Sequence, residues 1–277
     1  MAEKLNLFLK DPIRILIILV LVWAVWSWIL FTQTISLDVI EGEETKVKIA
    51  FITDLHSCFY GKDQHTLTDK IDKMQPDLVI MGGDIFDDKK KDDNTKILVE
   101  QLAAKYPCYY VTGNHEFWSG RADEFKAYLT DAGVNVLDGD CQTITVNGVD
   151  VDICGVDDPD AFLSGGEWKK QIDQAYDKTD ASHLRILVSH RPEEVDTYAK
   201  YDFDLVLTGH AHGGQIRIPF LNRGLYAPNQ GPMAEYVSGT YELANGKTMI
   251  VSPGLARESM PLPRYFNHPK LIFLELK

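Results

Sequence analysis

The sequence predicts an α/β domain with a sheet-on-sheet core and flanking helices, carried behind one N-terminal membrane-spanning helix. Three observations lead there. An uncharged apolar run fills residues 15–31, ILIILVLVWAVWSWILF. From residue 45 onward, short apolar and β-branched runs alternate with segments of helical spacing. Many of those short runs end in a polar cluster of Asp, Asn or His, the place where open α/β sheets build their sites. Short-loop, mixed strands in the second half favour two stacked sheets.

The apolar run, counted over 13–32, approaches the ~20 residues that span a bilayer core. Trp23, Trp26 and Trp28 lie towards its C-terminal half, as at a membrane interface. It exceeds the usual signal-peptide core of about 7–15 residues, and FTQTISLD after it offers no small-x-small cleavage site. No twin arginine precedes it. An uncleaved anchor over 15–32 is therefore expected, between a basic tail (1–14) and a linker (33–44), with the folded domain at 45–277. Lys4, Lys10 and Arg14 precede the span, whereas Asp38, Glu41, Glu43 and Glu44 follow it. The positive-inside rule then puts the N-terminus in the cytoplasm and the domain outside.

Within the domain, strands are expected at 47–53, 78–81 and 108–112, with helices at 64–74, 95–105 and 122–130 between and after them. Further strands fall near 134–137, 143–146 and 149–154. A helix near 167–176 is followed by strands at 185–189 and 205–208, and closing strands at 234–243, 248–251 and 271–276 complete the chain. No repeat, low-complexity tract or Pro/Gly/Ser linker interrupts it.

Five clusters follow predicted strands: Asp54-Leu55-His56, Gly82-Gly83-Asp84, Gly113-Asn114-His115-Glu116, His190, and Gly209-His210-Ala211-His212-Gly213-Gly214-Gln215. Carboxylate, amide oxygen and imidazole suit Mn, Fe or Zn. Spacing of i and i+2 in extended chain aims two ligands at one place, which applies to Asp54 with His56 and His210 with His212. Five of the eight histidines fall in these clusters; His65, His183 and His268 are read as structural or surface residues.

The formal net charge of -13 argues against a nucleic-acid surface, which needs Lys and Arg against phosphates. It does not exclude a small phosphorylated substrate, because bound cations reverse the local sign. The four cysteines form no C-x-x-C pair or zinc-finger spacing. Cys108 and Cys154 are read as small core residues, Cys58 as a neighbour of the first cluster outside the site, and a disulfide is left open.

The ordered set D-x-H, G-G-D, G-N-H-E, a lone H and G-H-x-H resembles the calcineurin-like metallophosphoesterases. The G-H-x-H-G-G-Q ending and the N-terminal apolar run are similar to their membrane-associated bacterial branch, and the likeness continues through LYAPNQG (225–231) and PRYFNHP (263–269). The resemblance implies a four-layer α-β-β-α sandwich of two mixed sheets. It implies two divalent metal ions, with Mn expected and Fe or Zn as alternatives: Asp54, His56 and His212 on one, Asn114, His190 and His210 on the other, and Asp84 bridging. It further implies in-line attack on phosphorus by a metal-bridging hydroxide, with no covalent phospho-enzyme and with His115 protonating the leaving oxygen or steadying the phosphoryl group.

Arg191 is the candidate substrate-phosphate contact, and Arg257 and Arg264 are weaker ones. The branch often has an arginine where Pro253 stands, so that contact is not expected here. Phe220, Leu221, Leu225 and Tyr226 are read as core packing, with a pocket rim or lipid contact as the alternative. The expected activity is hydrolysis of a phosphoester or pyrophosphate bond, with a lipid-linked substrate suggested by the anchor; soluble nucleotides or phosphoproteins are the alternative substrates. A non-catalytic metal-binding scaffold would show lost ligands, and here all seven positions and His115 are intact. No protein partner is predicted.

Overall fold

The computed structural model describes residues 11–33, 35–41, 46–217, 221, 223–257 and 264–276, with 27–33 and 41 as backbone alone. Most of the expected tail, positions 34 and 42–44 of the expected linker, position 45 at the start of the expected domain, and Phe220 lie outside the described residues.

Fourteen strands are present among them. They are β1 (Ser36–Glu41), β2 (Val47–Ile52), β3 (Leu78–Gly82), β4 (Cys108–Val111), β5 (Asn135–Val136), β6 (Asp140–Val146), β7 (Val149–Gly155), β8 (Leu184–Val188), β9 (Leu205–Thr208), β10 (Tyr226–Ala227), β11 (Gly231–Pro232), β12 (Gly239–Glu242), β13 (Thr248–Val251) and β14 (Lys270–Leu276). One six-stranded sheet has the order β1-β14-β2-β3-β4-β5 and the other β12-β13-β9-β8-β7-β6. Both are mixed. In the first, β2, β3, β4 and β5 run parallel and β14 is antiparallel to β2; in the second, β13, β9, β8 and β7 run parallel with antiparallel β12 and β6 at its edges.

The strands are apolar on both faces because both faces are covered. Alternate residues Ile49, Phe51, Leu78 and Ile80 meet Ile153, Ile186, Val188 and Leu207 in one core between the sheets. The intervening residues Ala50, Ile52, Val79 and Met81 face Leu67, Ile71, Leu98, Leu102 and Phe125, from α2 (His65–Met74), α3 (Asp93–Ala103) and α5 (Ala122–Asp131). On the far side, Cys154, Leu187, Val206 and Met249 pack on Trp168, Ile172 and Ala175 of α6 (Gly165–Tyr176) and on Tyr198. A strand period of two thus yields three cores and four layers.

Several expectations need correction. The linker read at 33–44 contains β1, parallel to β14, with Ser36 opposite Lys270 through Glu41 opposite Glu275. Leu37 packs on the helix-side core, and the alternation of ISLDVI is what an edge strand shows. The closing strand at 234–243 is reduced to β12. Cys154 is no free core thiol: it stands directly across from Cys141 on β6 and forms a disulfide with it. Leu221, Leu225 and Tyr226 are exposed, outside the core, because this segment crosses the surface beyond the sheet ends.

The first helix, α1, runs Pro12–Gln33 and exposes Ile13, Leu16, Leu19, Trp23 and Trp26. Trp23 also meets Phe266, ring centroids 6.1 Å apart. Among the described residues, no helix is long and apolar enough to cross a membrane. The expected anchor, 15–32, extends into side chains 27–32, which lie outside those described.

Candidate metal centre

The carboxyl ends of strands from both sheets meet at one buried point. Asp54 and His56 follow β2, Asp84 follows β3, and Asn114 and His115 open the short helix α4 (Asn114–Trp118) after β4. From the second sheet, His190 follows β8, while His210 and His212 follow β9. Asp54, His56, Asp84, Asn114, His190, His210 and His212 are all buried.

The chain does not pass through this region extended, as the i, i+2 argument assumed. Asp54, His56, Asp84, His210 and His212 have φ between 46° and 62°, in the left-handed region. Non-glycine residues there are uncommon and collect at functional sites. Tight turns, rather than strand alternation, bring the side chains together. Gly83 shows why the glycines are needed: its φ is 91°, and a Cβ there would come within 2.6 Å of His190 Nδ1.

Two ligand sets share Asp84. Asp54, His56, Asp84 and His212 bring one ligand atom each within 4.8 Å of one another, as do Asp84, His190 and His210. His190 Nε2 is 3.1 Å and His56 Nε2 3.5 Å from Asp84 Oδ2, and His212 Nε2 is 3.5 Å from Asp54 Oδ1. His56 Nε2, Asp84 Oδ2, Asn114 Oδ1 and His190 Nε2 are buried without hydrogen-bond partners. Such groups are costly unless something else binds them. Divalent cations fit this donor set of carboxylate, amide oxygen and imidazole.

The back of each ring is fixed, as is usual for metal-binding histidines. His56 Nδ1 is 3.2 Å from Asp87 Oδ2, and His190 Nδ1 is 2.8 Å from the Gly82 carbonyl. With those nitrogens donating, Nε2 of each presents its lone pair to the centre. His210 is reversed: Nε2 is 3.0 Å from Asn229 Oδ1, which leaves Nδ1 for the centre. Asn229 Oδ1 also accepts from Arg191 Nη1, so one amide oxygen reconciles two donors that stand 3.2 Å apart.

Electrostatics divide the histidines. Burial pulls His190 down, but the carboxylates of Asp84 and Asp54 outweigh it and push the imidazole up to about 10. Burial raises Asp84, yet His190 and His56 hold it well below the carboxylate range. His210 is driven well down by burial and then by the Arg191 and His190 charges, and His212 by burial and His56. Neutral rings are the form that binds metal, so a cation bound at His190 would displace the proton that Asp84 and Asp54 otherwise favour there.

His115 lies at the edge, its side chain 15% exposed, with Nδ1 2.8 Å from Asp88 Oδ1. The ring stands edge-on to His56 and beside Trp118. A cavity of about 210 Å³ opens here, lined by Asp84, Asn114, His115, Trp118, His210 and Pro228 among others.

Arg191, expected at a substrate phosphate, is instead buried beside His210 and does not line the cavity. Its Nε and Nη2 donate to the two oxygens of Asp158, and Asp160 lies 3.1 Å from Nη2. Arg257 stacks over Tyr60, and buried Arg264 donates to the Pro253 carbonyl; neither lines the cavity. Cys58 is buried, with Lys90 Nζ 3.6 Å from its sulfur.

Residue types alone missed the supports. Glu116 accepts from the backbone N–H groups of Asp84, Ile85, Phe86 and Gly113. Asn267 donates to the His212 and Gln215 carbonyls. Asp87, Asp88 and Asp158 carried no signal beyond proximity to motifs, and Asn229 lay inside LYAPNQG without a role attached to it.

The sequence pattern and geometry agree with a match of residues 47–214 to the calcineurin-like phosphoesterase family model. The chain belongs to this family. The chain is 30% identical over 249 residues to an uncharacterized metallophosphoesterase of Campylobacter jejuni, covering 87% of this chain and 62% of that protein. It is 28% identical over 228 residues to a bovine (Bos taurus) transmembrane protein with metallophosphoesterase domain, covering 78% and 50%. It thus spans less than two thirds of the length of both. The fold is also similar to a 5'-nucleotidase precursor from Thermus thermophilus, at TM-score 0.50 and 16% identity over 76% of this chain and 49% of that one.

Proposed function

We propose that this metallophosphoesterase-family chain hydrolyses a phosphoester or pyrophosphate bond with two divalent metal ions, Mn being the expected pair. The observation that carries the reading is the convergence of partnerless buried ligand atoms on a shared Asp84. When bound, the ions would supply an activated water for in-line attack and neutralise the phosphoryl oxygens. Asp54, His56 and His212 would hold one ion, Asn114, His190 and His210 the other, and Asp84 both. His115 would hold a proton at Nε2 for the leaving oxygen, with Asp88 orienting the ring through Nδ1. Arg191, pinned by Asp158, would steady His210 together with Asn229.

Membrane attachment through α1 is part of the proposal. Its support is the all-round exposure of apolar side chains, the uncharged run that continues past them, and the description of the bovine relative as a transmembrane protein. A catalytic domain outside the cytoplasm is supported by the charge difference across the run and by the Cys141–Cys154 disulfide, since such bonds persist in oxidising compartments. A lipid-linked phosphate would suit that position.

The test is elemental analysis of the full chain with turnover of p-nitrophenyl phosphate and bis-p-nitrophenyl phosphate under added Mn. Close to two metals per chain with turnover is expected, and Asp84→Asn should lose both. Folded protein that binds no Mn, Fe or Zn and turns over neither ester would sink the reading.

A further inference from the structure

Trp118 is the anomaly at the cavity mouth. It is 59% exposed, a value that among the described aromatics of the folded domain only Phe59, at 58%, approaches. An exposed indole usually either lays its face on the surface or turns freely. This one is held by its edge: Nε1–H donates to Asp160 Oδ2 at 2.8 Å. Asp160 is itself 3.1 Å from Nη2 of Arg191, the buried neighbour of His210. The indole is thereby tied into the site's own network while its ring stays accessible. Its inner side lies against His115, centroids 4.7 Å apart, because positions three apart on a helical turn share a face.

The position carries a direction. Resting on the hydrolase reading above, His115 serves the leaving oxygen, so the group esterified to that oxygen extends past His115 towards Trp118. Pro228 adds a second apolar element to the cavity lining, and Lys89 adds a cation at its edge. A held aromatic face binds flat rings well because little ordering entropy remains to be lost.

We infer that Trp118 is a specificity residue that stacks on a planar ring, a nucleobase or an aryl group, in the leaving alcohol of the substrate. The test uses Mn-loaded full-length chain and three phosphoesters whose alcohols have similar acidity: 2-naphthylethyl, 2-cyclohexylethyl and n-butyl. The wild type is expected to prefer the naphthyl ester over both others in kcat/KM. Trp118→Ala should lower that preference about 10-fold, chiefly through KM, and Trp118→Phe should retain most of it. Adenosine 5'-phosphate against ribose 5-phosphate, run in parallel, separates a nucleoside from a shorter aryl group as the source of the ring. Calorimetric binding of 2-naphthylethylphosphonate to the same proteins reads the stack without turnover. Weaker binding in Trp118→Ala supports the stack even where no ester is cleaved, an outcome that would retire the hydrolase reading alone. Hydrolysis with an unchanged naphthyl preference and unchanged phosphonate affinity overturns the stack and leaves the hydrolase reading standing. Equal losses on the naphthyl and cyclohexyl esters also overturn it, since they mean a generic apolar contact.

Discussion

The two halves of the metal centre are held by different means. Asp54, His56, Asp84 and Asn114 come from the first sheet and are fixed mainly by main chain. Asp54 N–H donates to the Gly83 carbonyl, His56 N–H to that of Asp84, and Glu116 gathers four backbone N–H groups beneath them. The second sheet offers only imidazoles, and His210 is set by side chains drawn from distant loops: Arg191, Asp158 and Asn229. His190 joins the halves, its Nδ1 directed at Gly82 of the first sheet. A ligand set supported by main chain fails as a unit, whereas one supported by single side chains can be weakened at one ion.

Glu116→Ala should therefore have the largest effect. It strands several buried N–H groups at once and should cost about 3 kcal/mol or more, visible in urea unfolding, with metal lost from both positions. A variant as stable and as metal-loaded as the wild type would mean that the main chain holds itself. His115→Ala touches neither support. Metal content should stay while kcat falls ~10²–10⁴-fold, most on esters with poor leaving groups. An undiminished rate on such esters removes His115 from proton transfer.

On the second half, Asn229 has φ 61°, so glycine keeps the backbone and deletes only the amide. Asn229→Gly should weaken one of the two metals about 10–100-fold, and Asn229→Asp, which keeps an acceptor for His210 Nε2–H, should recover most of it. Titration with Mn, read by metal stoichiometry, checks this; simultaneous weakening of both metals would contradict the division into halves.

The smallest effect lies outside the centre. The hydrogen bond with Asp152 raises His183 above its ordinary value, with the Asp152 charge adding to it. A group raised on folding contributes stability that is full below about 6.5 and lost as pH rises through the folded value. The Tm difference between wild type and His183→Ala should be larger near about pH 6 than near about pH 9. A difference that grows with pH would reverse the sign and discard the ion pair.

Legibility in the sequence followed the locality of the cause. Metal-ligand types, their order and their strand-end placement were readable because each motif is contiguous and follows an apolar run. Edge strand β1 was obscured by its neighbourhood to the N-terminal apolar run, and the Cys141–Cys154 pair by a register that only the β6–β7 hairpin defines. Arg191 looked like a phosphate contact because it follows His190; Asp158, 33 residues away, claims its fork instead.

The sequence by itself determined the layered α/β class, the buried two-faced strands and the inventory of ligands, because hydrophobic period and residue chemistry are local properties. The tertiary structure alone decided which imidazole nitrogen faces the centre, which carboxylate orients His115, and that the indole of Trp118 stands open at the mouth. Those outcomes depend on contacts between segments 19 to 108 residues apart, such as His210 with Asn229 and His190 with Gly82, and no one-dimensional spacing encodes them.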